Sequence, residues 1–185
     1  SSALFMILSI CIPTYNRVNQ LDNCLNSILI SKKKVDNFNF EICISDNCSE
    51  EDTESIIKKY NKELTIKYNR NEKNFGFAIN GIKTISMAEG EFSWMIGNDD
   101  LILPKTLSKL KNLLQNNLDK DYFFINSYHL ESSYLDKFPA PFNTENLNFE
   151  NMRKISSIKT SKQVPFWNVI DPKVSWEFLI GIYLN

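Results

Sequence analysis

The amino-acid sequence predicts an α/β fold in which a mostly parallel sheet is flanked by helices. Two observations lead to this prediction. Short apolar runs, typical of buried strands, alternate with apolar residues at helical spacing over residues 1–125. Three of the predicted strands also end in clusters of polar residues. Alternating strands and helices are typical of parallel sheets, which bind ligands at the carboxyl ends of their strands.

The first part of this pattern contains two strands and two helices. Residues 7–12 and 40–45 are apolar runs, as expected of strands buried on both faces. Between them, an amphipathic helix is indicated by Val18, Leu21, Leu25 and Ile28. Residues 49–52 have the spacing of a capping box and are expected to open a second helix. That helix carries Ile56, Ile57 and Tyr60.

A third strand and a third helix come next. Residues 65–68 alternate between polar and apolar side chains, which predicts a short strand. The next helical stripe consists of Ala78, Ile82 and Ile85. Gly90 is expected to stop this helix, because glycine is common just past a helix C-terminus.

Two further strands enclose a fourth helix. Residues 92–96 and 122–125 are the fourth and fifth predicted strands. Pro104 suits a first-turn position, and the helix behind it carries Leu107, Leu110 and Leu114. The pattern weakens after about residue 130 and resumes as a strand at residues 178–183. Because the sequence stops on that strand, we expect a single domain over residues 1–185 that is cut off at its C-terminus.

Composition and charge exclude several classes of protein. The net charge of -1 gives no reason to expect a nucleic-acid partner. The basic run at residues 32–34 follows a predicted helix, where cations are favourable. His129 is the only histidine, so a Ser-His-Asp catalytic set is not supported. The apolar runs are too short to span a bilayer, and no signal peptide is indicated.

The cysteines argue against a zinc site. They are Cys11, Cys24, Cys43 and Cys48. None forms a CxxC pair, so a tetrahedral zinc site of the usual spacing is excluded. Free thiols in buried strands indicate a reducing compartment, which predicts a cytoplasmic protein.

Polar residues at three strand ends are the candidate functional site. They lie at residues 13–17, 46–49 and 97–100, and a turn or a helix cap explains each of them taken singly. No GxGxxG or GxxxxGK[ST] motif follows a strand, so neither a dinucleotide site nor a P-loop is supported. Asp99 and Asp100 are adjacent carboxylates, and such oxygen ligands suit Mg²⁺ or Mn²⁺ beside a nucleoside diphosphate. Asp100 alone is equally compatible with a helix cap.

Four segments together resemble the ordered motif set of family 2 glycosyltransferases. They are LSICIPTYNR (8–17), EICISDNCSEEDT (41–53), NEKNFGFAINGI (71–82) and AEGEFSWMIGNDDLILP (88–104). Transferases for rare sugars of bacterial surface polysaccharides, of the abequosyltransferase type, resemble the sequence most. The resemblance implies a GT-A fold, a Rossmann-like sheet whose nucleotide-sugar-binding half is about residues 7–115. Residues 116–185 would begin an incomplete acceptor-side half.

The resemblance also implies individual roles. The residues expected to bind the nucleotide are Pro13, Thr14, Tyr15, Arg17, Asp46, Asn74, Asn80 and Asn98. Asp46 would accept a hydrogen bond from the base N3–H, which favours uracil or thymine. Gly76 matches the family's loop before a helix, and either Arg70 or Lys73 would reach the diphosphate. Asp99, with Asp100 as a second candidate, would hold Mn²⁺ or Mg²⁺.

The sequence departs from the family pattern at Gly97. The family's DXD motif has an acidic residue there, so a carboxylate that contacts ribose or metal is missing. Asn98 is expected to replace it as a ribose contact. The departure predicts a weaker metal site than is usual for the family.

The implied reaction is transfer of a sugar with inversion at its anomeric carbon. The donor is a nucleotide sugar, and the acceptor is a glycan or a lipid-linked glycan. A carboxylate general base takes the acceptor proton. It is expected beyond Asn185, since Asp171 and Glu177 are the only nearby carboxylates and a loop or capping role suits both. Membrane association is expected only through absent segments or the acceptor, at the inner face of the membrane.

Three alternatives remain open at this point. The chain is also compatible with a non-catalytic module that binds nucleotide sugars, with a nucleotidyltransferase, or with a structural domain whose polar strand ends are all caps. Aromatic residues in the irregular segment 134–165 and just after it either form an acceptor-side flap or pack a local core. These residues are Phe138, Phe142, Phe149, Phe166 and Trp167.

Overall fold

The structure is a computed structural model that describes residues 5–125, 128–148, 150, 152–154 and 181–185. The strands are β1 (Leu8–Thr14), β2 (Phe40–Asp46), β3 (Ile66–Arg70), β4 (Phe92–Met95), β5 (Tyr122–Phe124), β6 (Tyr128–Leu130), β7 (Met152–Lys154) and β8 (Gly181–Leu184). The helices are α1 (Val18–Lys32), α2 (Thr53–Tyr60), α3 (Phe77–Ile85), α4 (Thr106–Gln115) and the short α5 (Ser132–Leu135), with a 3₁₀ turn at Thr144–Asn146.

A six-stranded sheet in the order β3-β2-β1-β4-β8-β5 organises the chain. Its first four strands are mutually parallel, and β8 lies antiparallel between β4 and β5. β6 and β7 form a separate antiparallel pair. The predicted mostly parallel sheet flanked by helices is therefore confirmed. The strand predicted at 178–183 is observed at Gly181–Leu184, and residues 178–180 lie outside the described residues.

The two faces of the sheet differ in chemistry. All seven residues of β1 and of β2 are buried, as expected. Because side chains alternate across a strand, Ile10 and Ile12 join the apolar core that α1, α2 and α4 cover. Ser9 points to the opposite face, where it accepts a hydrogen bond from Gly90 N and donates one to Glu41. Among the described residues, the apolar core lies on the first of these faces.

Helix α3 lies on the sheet with its polar residues buried, and the predicted apolar stripe is wrong as a core stripe. The buried residues of α3 are Asn80, Gly81 and Thr84. Ile82, at the centre of the predicted stripe, is 68% exposed. The physical reason is the close approach of α3 to β1 and β2, which favours small or hydrogen-bonding residues over isoleucine. The helix also ends at Ile85, ahead of Gly90.

The start of α2 differs from the predicted capping box. Asp52 is the N-cap residue, and its carboxylate accepts a hydrogen bond from Ser55 N at 3.1 Å. Ser49 instead bonds to Asp46. An aspartate directly before the helix satisfies the first-turn N–H groups better than a serine three residues earlier.

Part of the irregular segment packs a local core against α1. The rings of Tyr134, Phe138 and Phe142 lie 5.1–6.2 Å apart between centroids. The backbone of Phe142 bonds to Asn23 and Asn26 of α1. The local-core interpretation therefore holds at Phe142, which is buried, whereas Phe138 is 43% exposed. Phe149, Phe166 and Trp167 lie outside the described residues.

Within the described ranges, no helix is both long and apolar enough to cross a membrane. All four cysteines are free thiols, and three of them are buried.

Candidate functional site

The ends of β1, β2 and β4 meet at one edge of the sheet, as predicted. Thr14 is paired in register with Asp46. The Thr14 carbonyl accepts a hydrogen bond from Asn47 N at 2.9 Å, and its hydroxyl accepts one from Asn98 Nδ2 at 2.8 Å. The polar residues after all three strands are therefore joined by direct hydrogen bonds.

Asp46 is fully buried, and its carboxylate is held from two sides. Oδ1 accepts hydrogen bonds from Ser49 N at 3.0 Å and from Ser49 Oγ at 2.5 Å. Oδ2 accepts one from the Tyr68 hydroxyl at 3.0 Å and lies 3.8 Å from Arg70 Nε. Burial, with the Asp46 charge as a further cause, raises the pKa of Tyr68. This hydroxyl therefore stays protonated and donates to Asp46.

Asn47 and Asn71 connect the end of β2 to the loop before α3. Asn47 Nδ2 donates to Asn74 Oδ1 at 2.7 Å, and Asn47 Oδ1 accepts from Phe75 N at 2.9 Å. Asn71 Nδ2 donates to Asn80 Oδ1 at 2.8 Å. The sequence singled out Asn74 and Asn80 and placed Asn47 in the polar cluster at residues 46–49, but it assigned no role to Asn71. A signal for Asn71 was present, because it lies three residues after the strand predicted at residues 65–68.

The two predicted asparagines of this loop have different surroundings. Asn80 is buried and donates to the carbonyl of Ser45 at 2.9 Å, so it ties α3 to β2. Asn74 is exposed and accepts a hydrogen bond from Gly76 N at 2.8 Å. Gly76 has a φ of 82°, a left-handed conformation that favours glycine. The loop thereby turns into the N-terminus of α3.

The loop after β1 is tied to the loop after β2. Asn16 N donates to Ser49 Oγ at 2.9 Å, and Asn16 Oδ1 accepts from Glu50 N at 2.7 Å. Asn16 has a φ of 48°, which asparagine tolerates better than most residues. Pro13 is buried in β1, and Tyr15 is 40% exposed at the edge where the strands end.

Arg17 and the end of β4 form the charged part of the site. Arg17 Nη1 lies 2.7 Å from Asp99 Oδ2, in an ion pair of two exposed side chains. Asp100 Oδ2 accepts a hydrogen bond from Gly97 N at 2.6 Å, so this carboxyl is folded back onto the backbone. Burial of the carboxyl raises the pKa of Asp100, and the neighbouring Asp99 charge adds to this effect. The residue as a whole is nevertheless exposed.

The donor set suits a divalent cation only if another molecule supplies some of the ligands of that cation. Across the part of the chain that the structure describes, no three His, Cys, Asp or Glu side chains cluster around a common point. Asp99 and Asp100 are two hard carboxylates at an open edge. Mg²⁺ is usually held by one or two carboxylates plus water and substrate phosphates. The residues present therefore fit a cation that arrives with a nucleotide.

An open groove of about 390 Å³ lies beside the end of β3 and is lined by Asn69, Arg70, Asn71, Glu72, Phe75 and Lys83. Arg70 donates to the Ser49 carbonyl at 2.9 Å on the side of Asp46. Lys73 instead lies 5.3 Å from the centroid of the Phe75 ring. Of the two basic residues singled out from the sequence, Arg70 is therefore the one that already contacts Asp46 and Ser49 at the end of β2.

The two carboxylates named as general-base candidates, Asp171 and Glu177, lie outside the described residues. The side chain of His129 is likewise not described.

Comparison with known proteins identifies relatives of this chain. The sequence matches the family described as glycosyl transferase family 2 over residues 9–171. It is 40% identical over 116 residues to the abequosyltransferase RfbV of Salmonella typhimurium, covering 62% of this chain and 34% of that protein. It is 28% identical over 165 residues to an uncharacterized glycosyltransferase of Mycoplasma genitalium, covering 87% of this chain and 52% of that protein. The chain therefore spans about a third to a half of the length of these relatives.

Solved structures support the fold. The crystal structure of residues 1–349 of TarS from Staphylococcus aureus in complex with UDP-GlcNAc has a TM-score of 0.59 and 28% identity, over 64% of this chain and 34% of that chain. A mannosyltransferase from Pyrobaculum calidifontis has a TM-score of 0.54 over 66% of this chain and 36% of that one. Its identity of 16% makes the second likeness one of fold alone. These neighbours confirm the predicted GT-A fold.

Proposed function

The chain belongs to glycosyl transferase family 2, and we propose that it supplies the donor-binding half of an enzyme that transfers a sugar from a nucleoside diphosphate to a hydroxyl acceptor. One observation carries the proposal. Thr14 and Asp46 end β1 and β2, Asp99 follows β4, and all three lie at one sheet edge, where open parallel sheets bind ligands. In this proposal, residues 7–115 bind the donor and residues 116–185 begin the acceptor side.

We assign the base to the edge formed by Thr14, Tyr15 and Asp46, with uracil or thymine favoured. A carboxylate has about four acceptor directions. Three directions of Asp46 are filled by the protein, which leaves one for the N3–H of the base. Ser49 supplies two donors to Asp46 and Tyr68 supplies one. The likeness to TarS, solved with UDP and with UDP-GlcNAc, supports a uridine donor. Asn98 would meet the ribose, with Pro13, Asn74 and Asn80 shaping the pocket around the nucleotide.

We place Mn²⁺ or Mg²⁺ at Asp99, with Asp100 as a second ligand and the diphosphate completing the shell. The cation would stabilise the negative charge that develops on the leaving diphosphate. Asp99 is exposed at the open edge and is the better placed of the two, because Asp100 already accepts a hydrogen bond from Gly97. Arg17 and Arg70 are the cations that would contact the diphosphate oxygens.

The acceptor is proposed to be a glycan or lipid-linked glycan, with inversion at the anomeric carbon. The relative from Salmonella typhimurium, named an abequosyltransferase, supports a role in bacterial surface-polysaccharide synthesis. The general base is then Asp171, Glu177 or a residue of the whole protein beyond this sequence. A cytoplasmic location, with membrane contact through the acceptor, follows from the same proposal. No nucleic-acid partner is proposed for a chain with a net charge of -1.

Calorimetric titration tests the donor site directly. UDP, dTDP, CDP and GDP are titrated into the chain with and without Mn²⁺, and into Asp99→Ala. We expect UDP or dTDP to bind best, and binding to need both Mn²⁺ and Asp99. Asp119→Ala is the matched control, because Asp119 is an exposed carboxylate paired only with its neighbour Lys120 among the described ion pairs. Tighter binding of CDP or GDP would overturn the role of Asp46, and no binding by a folded chain would overturn the donor site.

A non-catalytic module that binds nucleotide sugars is the second candidate. Gly97 favours it, since the acidic residue expected from the family pattern is absent there. This candidate predicts nucleotide binding without sugar transfer even by the whole protein. Transfer from a nucleotide sugar to a glycan acceptor by the whole protein would exclude it.

A further inference from the structure

We infer that Arg17 and the divalent cation compete for the same carboxylate, and that Gly97 is the residue that makes this competition possible. Without ligand, Arg17 neutralises Asp99. When the donor enters, the cation takes Asp99 and Arg17 turns to the diphosphate. The inference rests on the proposed function, because it takes Asp99 to be the residue that holds the cation.

The first supporting observation is the ion pair itself. Arg17 Nη1 lies 2.7 Å from Asp99 Oδ2, and the two side chains are 52% and 55% exposed. The oxygen nearest to Arg17 is thus one that a cation at the sheet edge would use. Among the described ion pairs, Asp99 has no partner other than Arg17. A cation that binds Asp99 must therefore displace the guanidinium or share the carboxylate with a like charge.

The second observation concerns the space above Gly97. A Cβ atom at this position would lie 2.6 Å from Asp99 Oδ1 and 3.2 Å from Asp100 Oδ2. Non-bonded atoms do not approach so closely, so any other residue would push the Asp99 carboxylate away. The φ of Gly97 is not positive, so a Cβ here would meet the end of the Asp99 side chain and would not be opposed by the backbone conformation. Gly97 therefore permits the orientation in which Asp99 reaches Arg17.

The third observation is that the Arg17 side chain can reorient towards a bound diphosphate. It precedes α1, and its side chain makes no capping hydrogen bond to that helix. Its guanidinium offers five donors in a fork that matches phosphate oxygens. A diphosphate at the edge between β1 and β4 would lie within reach of this exposed, long side chain. The exchange leaves every charge paired, because the diphosphate compensates Arg17 and the cation compensates Asp99.

The inference predicts that one variant changes its affinities for Mn²⁺ and for UDP in opposite directions. Arg17→Ala removes the competitor, so Mn²⁺ alone should bind more tightly. An exposed ion pair contributes little, so the expected gain is about two- to fivefold. UDP in the presence of Mn²⁺ should bind more weakly to this variant, since a diphosphate contact is lost. A residue with a merely structural role would shift both affinities in the same direction.

Gly97→Ala separates competition from net charge. The change leaves all charges in place but moves Asp99 away from Arg17, so Mn²⁺ alone should again bind more tightly by about two- to fivefold. Lys33→Ala is the matched control for Arg17→Ala, because it also removes one exposed positive charge. Lys33 pairs with Glu63 at 3.3 Å, and these side chains are 61% and 53% exposed. This control should leave Mn²⁺ affinity unchanged.

The experiment measures free Mn²⁺ by electron paramagnetic resonance and UDP binding by calorimetry, at fixed ionic strength, on the 185-residue chain. Circular dichroism confirms that each variant is folded. Unchanged or weaker Mn²⁺ binding by both Arg17→Ala and Gly97→Ala, with binding abolished by Asp99→Ala, would overturn the competition and leave the proposed function intact. Full Mn²⁺ and UDP binding by Asp99→Ala would instead overturn the metal ligand on which the proposed function depends.

Discussion

Asn98 Nδ2 donates a hydrogen bond of 2.8 Å to Thr14 Oγ1, and this contact joins the ends of β4 and β1. Both residues are buried, so neither polar group is compensated by bulk water. An unpaired buried donor or acceptor is costly. The contact therefore fixes the relative position of the two loops that carry Arg17 and Asp99.

Replacing Thr14 by valine should destabilise the fold and weaken nucleotide binding. Valine keeps the shape but leaves Asn98 Nδ2 without its acceptor, at a cost of about 1 to 3 kcal/mol. Thr14→Ser retains the hydroxyl and is the control. Urea unfolding of both variants checks the expectation, and equal stability of Thr14→Val and the wild type would contradict it.

Replacing Tyr68 by phenylalanine should lower stability by removing a donor to a buried carboxylate. The hydroxyl of Tyr68 lies 3.0 Å from Asp46 Oδ2. Because Tyr68 is only partly buried, we expect a loss of about 1 to 2 kcal/mol in the free energy of unfolding. Tyr15→Phe, at an exposed position, should change it by less than about 0.5 kcal/mol. Chemical denaturation of both variants measures the difference.

Stability should fall in acid because of Glu41. Burial acts to raise the pKa of this carboxyl, but hydrogen bonds from Lys67, Ser9 and Glu89 N outweigh burial and hold the pKa below its ordinary value of 4.5. A group whose pKa is lowered by folding stabilises the protein above its unfolded pKa, and this contribution is lost as pH falls through the folded pKa. The free energy of unfolding, measured between pH 7 and pH 3, should therefore decline as the pH falls below about 4.5.

Glu41→Gln identifies the source of this pH dependence. The variant should be less stable than the wild type at pH 7 and should lose less stability in acid. Glu54→Gln, which alters an exposed carboxylate on α2, should keep the acid dependence of the wild type. Parallel curves for Glu41→Gln and the wild type would show that other groups carry the effect.

The outward face of α3 predicts a contrast between two isoleucines. Ile82 is 68% exposed, so Ile82→Ala should change stability by no more than about 0.5 kcal/mol. Ile44 is fully buried in β2, and Ile44→Ala should cost about 2 to 5 kcal/mol. Thermal and urea unfolding of the two variants test this directly. A large loss for Ile82→Ala would show that this face is covered.

The order and type of the main elements were determined by the sequence alone. Strands β1 and β2 are fully buried, so they contain apolar runs that can be recognised from neighbouring residues in the sequence. Leu107, Leu110 and Leu114 form one face of α4 and are all buried. The convergence of Thr14, Asp46 and Asn98 was also predictable, because parallel strands present their carboxyl ends at one edge.

The tertiary structure alone decided what happens between elements. Periodicity shows that α3 has two unlike faces but not which face meets the sheet, and the structure buries the face that carries Asn80, Gly81 and Thr84. Asn47 reaches Asn74 across a loop, and Arg17 reaches Asp99 from a distant part of the chain. Local sequence patterns carry no information about such contacts. They depend on strand order, which places β1 between β2 and β4 and brings these side chains together.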